Sequence, residues 1–454
     1  MKNFNTGENP RLLPLDISHK KYCAVIEPDS AFWALVEKND LGKHLFDSKL
    51  SKSFSAKIAD YRKEMNDLRF NLKPSAVYFN PTDRCNLNCK YCYIPEKMRR
   101  NGRNMSEAKM YDAMSRIRDF FKLTLPKGRK AQIIFHGAEP TVNKEAMFNI
   151  ISKFGSDFLF GIQSNGTLLD DDDVRFIKDN GVMIGLSMDG PSSKVSDKSR
   201  KKWSGKGTFS EVCKTLDKFS AYEGLSVICT MSSLNMDCLS STVEFFHENG
   251  VRTCLLNTIR CTQPLSRTIK PDEKKNAEHF IRALDRSRDL YLKTGRKIVV
   301  ANFANILLAI LAPSGRKLMC DISPCGGGRC FFAVAASGDV FPCSEFIGVP
   351  EFKGGNIFED KIPKILSSKP FQDITGRMVE NIKFCKDCAI RNFCGSPCPA
   401  EAHTMNGGMD KRGAFCEFYE EQVRYAFRLI ADGIQDDFLM DNWDKDMTDN
   451  AIDI

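Results

Sequence analysis

The 18 cysteines of this 454-residue chain constrain what it can fold into more than any other feature, because they are grouped. Cys85, Cys89 and Cys92 fall within eight residues; nine more lie from Cys320 to Cys416; Cys23, Cys213, Cys229, Cys238, Cys254 and Cys261 are scattered. The opening MKNFNTGENPRLLPLD has neither an apolar run nor a small-residue cleavage site, so the chain reads as cytoplasmic. The longest apolar stretch, residues 301–313, is interrupted by Asn302 and Asn305 and is shorter than the ~18 residues that span a bilayer, so no membrane partner is expected. In a reducing compartment grouped thiols are metal ligands or redox groups rather than staples. A net charge of +8 admits an acidic partner without demanding nucleic acid, and none is expected.

Between the two groups the sequence alternates β-rich runs (77–80, 133–136, 159–163, 182–187, 226–231, 251–256) with amphipathic, helix-length segments (106–121, 144–154, 171–180, 209–221, 239–249). Six β/α units in succession predict a parallel sheet with helical crossovers: an α/β fold, a partial (β/α)6 barrel of the TIM type over residues 75–261. The acidic run Asp170–Asp173 reads as a helix start. Residues 1–74 form a small N-terminal module with a strand at 22–26 and helical segments containing 31–36 and 54–68. Residues 262–319 are a helical connection, 320–430 a cysteine-rich domain and 431–454 an acidic, peripheral tail.

TDRCNLNCKYCY (residues 82–93) spaces Cys85, Cys89 and Cys92 as CxxxCxxC directly after the first barrel strand. Three thiolates on one loop hold three corners of a metal site, whereas structural zinc takes four ligands. A [4Fe–4S] cluster so held keeps one iron open. This spacing, with Tyr91 before the last cysteine, resembles the signature of radical S-adenosylmethionine (SAM) enzymes. The resemblance implies that the open iron chelates the amino and carboxylate groups of SAM, and that an electron from the cluster cleaves the sulfonium to a 5′-deoxyadenosyl radical.

Further segments at successive strand ends extend the resemblance, where such barrels build active sites. HGAEPT (136–141) resembles the family's GGEP motif, with Ala138 in place of a glycine; Gly137, Ala138 and Glu139 would meet the methionyl ammonium. QSNGT (163–167) resembles the ribose-contacting segment and contributes Ser164 and Asn165. SMDGP (187–191) contributes Ser187, and Arg200 follows at the distance of an arginine that meets the methionyl carboxylate.

CKDCAIRNFCGSPC (385–398), followed by Cys416 and preceded by PCGGGRCFFAVAASGDVFPC (324–343), resembles the SPASM extension, a twin auxiliary-cluster domain of radical enzymes that act on peptides. The resemblance implies one auxiliary [4Fe–4S] cluster on Cys320, Cys325, Cys343 and Cys398 and another on Cys385, Cys388, Cys394 and Cys416, for three clusters in all. Cys330 is left as the spare thiol, with its exchange for Cys320 open; thiolate spacing alone would also admit two zinc sites. The scattered cysteines read as small core residues.

The resemblance spans residues 75–430 and points to an enzyme acting on a precursor peptide, with flavodoxin or ferredoxin as electron donor. Peptide maturases that install thioether or other crosslinks stand beside anaerobic sulfatase-maturating enzymes and, in a different class, a non-catalytic cluster scaffold. Sulfatase-maturating relatives carry an aspartate, their proposed general base, directly after the cysteine that follows GD. Here Ser344 follows Cys343, and Glu345 would serve only if the chain were re-aimed. The N-terminal module has the length of a leader-binding domain that captures a peptide on a sheet edge, with 22–26 as the candidate strand. The basic stretches 97–103 and 198–206 read as solvated loops, apart from Arg200, with an acidic leader as the alternative.

Overall fold

A computed structural model describes residues 11–42, 48–394 and 398–444, so the readings of residues 1–10 and of the end of the acidic tail fall outside the described residues. All six predicted barrel strands form, as β4 to β9 after three strands in the N-terminal module: β4 (Ala76–Phe79), β5 (Ala131–Phe135), β6 (Phe158–Ser164), β7 (Met183–Ser187), β8 (Leu225–Met231) and β9 (Thr253–Thr258). They pair in parallel in chain order. All five residues of β5 are buried, as in a strand covered on both faces. The expected helices cross between them, including Lys144–Phe154 and Asp171–Asp179. Asp170 caps the latter through a reciprocal capping box with Asp173, which accounts for the acidic run.

The sheet extends past the six units at both ends. β10 (Val299–Val300) pairs with β9, and β11 (Phe331–Val334) runs parallel to β4 with Phe331 opposite Ala76. β12 (Asp339–Phe341) and β13 (Gly355–Asn356) then add antiparallel strands. The barrel sheet therefore continues into residues 320–430, and the loop that carries Cys343 starts from a strand joined to the barrel. Residues 262–319 are largely helical, as expected, with Glu273–Thr294 and Ala301–Leu311.

The N-terminal module departs from the expectation. Residues 31–36, expected as helical, form β3 (Phe32–Glu37) of an antiparallel sheet with β1 (Leu13–Leu15) and β2 (Tyr22–Glu27). The reason is the turn before it: the Ser30 N–H and hydroxyl donate to Glu27, and Ala31 sits at φ +58°, which reverses the chain and leaves Phe-Trp-Ala-Leu-Val to pair with β2. β2 is flanked on both sides, so it offers no free edge for a peptide; the open edge of this sheet lies at β1 and β3. The tail is less peripheral than its composition predicts. Phe438 and Leu439 are buried, Arg288 pairs with Asp437 at 2.7 Å, and Lys297 Nζ donates to the Asp436 and Leu439 carbonyls. Of the scattered cysteines, Cys23, Cys229, Cys254 and Cys261 are core residues, while Cys213 and Cys238 are partly exposed. Among the described residues no helix is long and apolar enough to cross a membrane.

Candidate functional site

The loop after β4 brings Cys85, Cys89 and Cys92 together at the C-terminal end of the sheet. Parts of the two basic stretches pack on it, while Lys97, Arg103, Lys198 and Lys206 are exposed to solvent as expected. Asn88 and Lys90 donate backbone bonds to Lys201 and Ser199, and Trp203 Nε1 donates to the Cys85 carbonyl at 2.8 Å. Arg99 is buried and donates to the carbonyls of Ile94 and Leu87 and to Asn88 Oδ1, with Arg99 and Arg100 both stacked on Trp203. Burial pushes all three thiols up, Cys89 to about 11; Cys85 is raised further by Cys89 and Cys92, and Cys89 by Cys92. Buried neutral thiols gathered at one place suit a metal centre whose positive charge deprotonates them.

Glu139, 1% exposed, is the hub beside that loop. Its Oε1 accepts from Thr141 N (3.1 Å), Thr141 Oγ1 (2.5 Å) and Ser164 Oγ (2.8 Å), and its Oε2 from Asn165 N (2.7 Å). Asn165 Nδ2 donates to Asn86 Oδ1 of the cysteine loop at 2.9 Å. Burial raises the Glu139 carboxyl against the pull of these donors. Ser164 and Asn165 thus spend hydrogen bonds fixing Glu139. Gly137 takes φ +115°, and a Cβ there would stand 2.5 Å from Asn80 Cγ, so only glycine fits. Ala138 is in ordinary backbone, which explains why a methyl group is tolerated where the family has glycine.

Arg200 is 5% exposed and hydrogen-bonds the Tyr91 hydroxyl; one Nη lies 4.0 Å from Asp189, and its Nε is buried without a partner. Asp189, unremarked in the sequence, accepts from Thr230 N and Ser199 Oγ and balances this guanidinium; its place in SMDGP at a strand end was the available signal. Ser187 ends β7, half-buried. The three thiols, the glycine cradle at Gly137 and the orphaned Arg200 Nε fit a [4Fe–4S] cluster and the amino and carboxylate groups of SAM.

The remaining thiols fall into two sets. Beyond burial, Cys320 is raised by Cys325, Cys343 and Cys398, and Cys343 by Cys325 and Cys398; Cys388 is raised by Cys385, and Cys416 by both of these. Cys394 ends a short helix, Arg391–Cys394, and the buried Arg377 lies within electrostatic reach of Cys325, Cys398, Cys385 and Cys394. Cys320 is exposed, whereas Cys330 is fully buried in the hydrophobic core, within electrostatic reach of Cys325.

Between the reactive loop and the first set lies a cavity of about 400 Å³. Tyr93, next to Cys92, lines it opposite the short turn Ser344–Phe346 that follows Cys343, and that turn aims Glu345 into the cavity. Glu345 Oε1 is 3.5 Å from Arg260, whose other side faces the buried Glu401 at 3.9 Å; burial raises both carboxyls and Arg260 lowers them. Tyr93 Oη lies 3.3 Å from His136 Nδ1, and burial drives His136 down to about 4, so its ring is neutral. His136, Tyr93, Arg260 and Glu401 were not selected from the sequence, because only folding brings their four segments together.

A partial α/β barrel with an open three-thiol site at its strand ends, joined to a domain with two further thiol sets, defines an iron–sulfur enzyme of the barrel type. The chain belongs to the radical SAM superfamily, which matches residues 79–246, and carries the SPASM iron–sulfur cluster-binding domain, which matches residues 325–389. An uncharacterized protein of Archaeoglobus fulgidus is 36% identical over 93% of this chain and 95% of its own length. A cysteine-type anaerobic sulfatase-maturating enzyme of Clostridium perfringens is 25% identical over 79% of this chain and 98% of its own. The subtilosin biosynthesis protein AlbA of Bacillus subtilis is 26% identical over 79% and 74%. Among solved structures, anSMEcpe with bound AdoMet superposes with a TM-score of 0.71 at 20% identity, covering 83% of this chain and 98% of that one. The same enzyme with AdoMet and the Cp18Cys peptide gives 0.68 at 20% identity, covering 80% and 99%. The chain is thus a radical SAM/SPASM enzyme, and its radical SAM domain implies a [4Fe–4S] cluster and SAM.

Proposed function

We propose that the enzyme oxidises a residue of a ribosomally made precursor peptide, rich in cysteine, and closes a thioether or other crosslink. The observation that carries this reading is the cavity between the reactive loop and the first auxiliary thiol set. Its ~400 Å³ suits one peptide residue and its neighbours, within reach of both centres. When bound, the cluster on Cys85, Cys89 and Cys92 together with SAM supplies a 5′-deoxyadenosyl radical that removes hydrogen from the substrate. Arg200 Nε donates to the methionyl carboxylate, the Gly137–Glu139 backbone cradles its ammonium, and Glu139 holds that backbone against Asn165. Glu345 takes the proton the substrate residue sheds, with Arg260 fixing its orientation. Cys320, Cys325, Cys343 and Cys398 hold one auxiliary cluster, and Cys385, Cys388, Cys394 and Cys416 the other. The N-terminal module binds the leader on the open edge of its sheet. The enzyme works in the cytoplasm with a flavodoxin or ferredoxin as donor.

Formylglycine formation is the second reading, favoured by the coverage of the Clostridium perfringens relative and by a carboxylate, Glu345, that does reach the cavity. Co-expression with the short cysteine-rich product of a neighbouring gene, followed by mass spectrometry, separates the two. Loss of two hydrogens per site with retention of sulfur supports the crosslink, whereas exchange of the thiol for an aldehyde oxygen supports formylglycine. A fully clustered preparation that releases no 5′-deoxyadenosine with dithionite and SAM would sink both and leave the scaffold reading.

A further inference from the structure

Several arginines are buried around the two auxiliary thiol sets. Arg69, Arg316 and Arg391 face carboxylates there: Glu380 at 2.8 Å, Asp321 at 4.0 Å and Asp29. Arg377, 8% exposed, is placed differently. Its Nε donates to the Met409 carbonyl at 2.5 Å and its Nη2 to the Lys411 carbonyl at 3.1 Å. Its strongest electrostatic partners are four thiols, Cys325 and Cys398 of the first set and Cys385 and Cys394 of the second. Burial opposes the charge on this guanidinium, and the ionised thiols favour it. Other cations act within one set: Arg260 on Cys320 and Cys398, Arg391 on Cys388, Arg412 on Cys416.

Backbone from the ligand-bearing segments holds Arg377 in this position. Met409 and Lys411 lie in the chain between Cys398 and Cys416, and Met409 packs against the apolar cluster that also meets Cys325, Cys343 and Cys398. One residue beyond Lys411, Arg412 stacks at 5.5 Å over Phe384, the neighbour of Cys385. The carbonyl of Arg377 accepts from Ser323 Oγ at 3.4 Å, and that oxygen accepts in turn from Val379 N at 2.8 Å. These bonds tie the residue to the segment that carries Cys320 and Cys325. A cluster held by four thiolates is negatively charged and gains a further negative charge on reduction, so a fixed cation nearby favours the reduced form. Burial keeps salt from screening that effect.

We propose that Arg377 is a shared tuning residue, a buried cation that raises the reduction potentials of both auxiliary clusters together. The inference rests on the proposed ligand sets of those two clusters. Arg377 is not part of the lining of the substrate cavity, so it acts through the clusters and not on the substrate. The change it favours is the gain of one electron by either cluster, with no bond or proton moved. The reactive site has its own buried cation, Arg200, which lowers Cys89, and its potential is set separately.

The test is a redox titration of the anaerobically reconstituted full-length enzyme with dithionite and mediators, followed by electron paramagnetic resonance. C325A and C385A identify the first and second auxiliary signals by their loss. R377Q is expected to raise the oxidised-to-reduced ratio of each auxiliary cluster about tenfold at a fixed ambient potential, a fall of about 59 mV for a one-electron couple. The reactive cluster keeps its wild-type potential. R377K retains the charge without the fork that reaches both carbonyls, and is expected to return both potentials most of the way to wild type. A residue that only braces the loops would instead make lysine and glutamine behave alike. Should R377Q load less iron, loading itself decides: full iron in R377K supports the charge, whereas equal loss in the two variants overturns the proposal. Auxiliary potentials of a loaded R377Q equal to wild type overturn it, and so does a shift confined to one cluster. Failure of the ligand sets reads differently: C325A and C385A would then keep the full wild-type iron content.

Discussion

Replacing Glu139 with glutamine tests the hub of the cofactor site, because the substitution keeps shape and removes one acceptor and the charge. The carboxylate receives three donors on Oε1 and the Asn165 N–H on Oε2. A glutamine whose oxygen stays with the three donors turns its NH2 toward the Asn165 N–H, so one charge-assisted bond, worth about 1.5–3 kcal/mol, is lost and a buried N–H is stranded at about 1–3 kcal/mol. Against this, burial already disfavours the charged form of Glu139, so removing the charge recovers part of the loss. A net cost of about 2–4 kcal/mol follows, felt where the Gly137–Glu139 loop meets the Asn165 loop. Because those loops form the proposed SAM cradle, SAM affinity falls by about 30-fold or more at ~1.4 kcal/mol per tenfold. Calorimetric titration of SAM into the reconstituted E139Q enzyme reads the affinity, and thermal unfolding of the same samples reads the stability. S164A, which removes one donor but leaves the charge, should cost about 1 kcal/mol. An E139Q enzyme that binds SAM with wild-type affinity and melts with wild type refutes the hub.

His136, neutral in the fold with a pKa of about 4 against the ordinary 6.5, contributes stability that is present above about pH 6.5 and lost as pH falls toward 4, at most about 3 kcal/mol and less to the extent that cavity solvent screens it. H136Q should flatten the fall in unfolding midpoint between pH 7 and 5, and parallel curves for the two proteins would contradict this. G137A, forced to φ +115° with its Cβ against Asn80, should destabilise by about 2–4 kcal/mol, while A138G changes stability by under about 1 kcal/mol; equal melting of the two variants would count against the cradle. C320A should lower the iron content of the reconstituted enzyme by about one cluster, whereas C330A should load fully and lose only about 1–2 kcal/mol from its core cavity; the opposite result would exchange the two residues.

What could be read from the sequence divides along a physical line. Local patterns sufficed for the six strands, for the capping box at Asp170 and for the CxxxCxxC loop, because strand alternation, capping and ligand spacing are fixed by residues near one another in the chain. Ala31 shows where that stops: the run at 31–36 is short and apolar, compatible with helix or strand, and a single left-handed residue after the Glu27–Ser30 turn decides for a strand. The cavity was beyond reach for a further reason. Tyr93, Arg260, Glu345 and Glu401 come from segments far apart in the chain, and none carries a local signal. They meet because β11 docks beside β4 in parallel, which sets the Cys343 turn against the Cys92 loop. The same docking brings Glu345 to the cavity wall, although the residue directly after Cys343 is Ser344. The Ser344–Phe346 turn rotates the second residue after Cys343, rather than the first, into the space between the two thiol sets. Which residue after Cys343 reaches the cavity is thus decided by the turn that presents it, a geometry that a count along the motif does not contain.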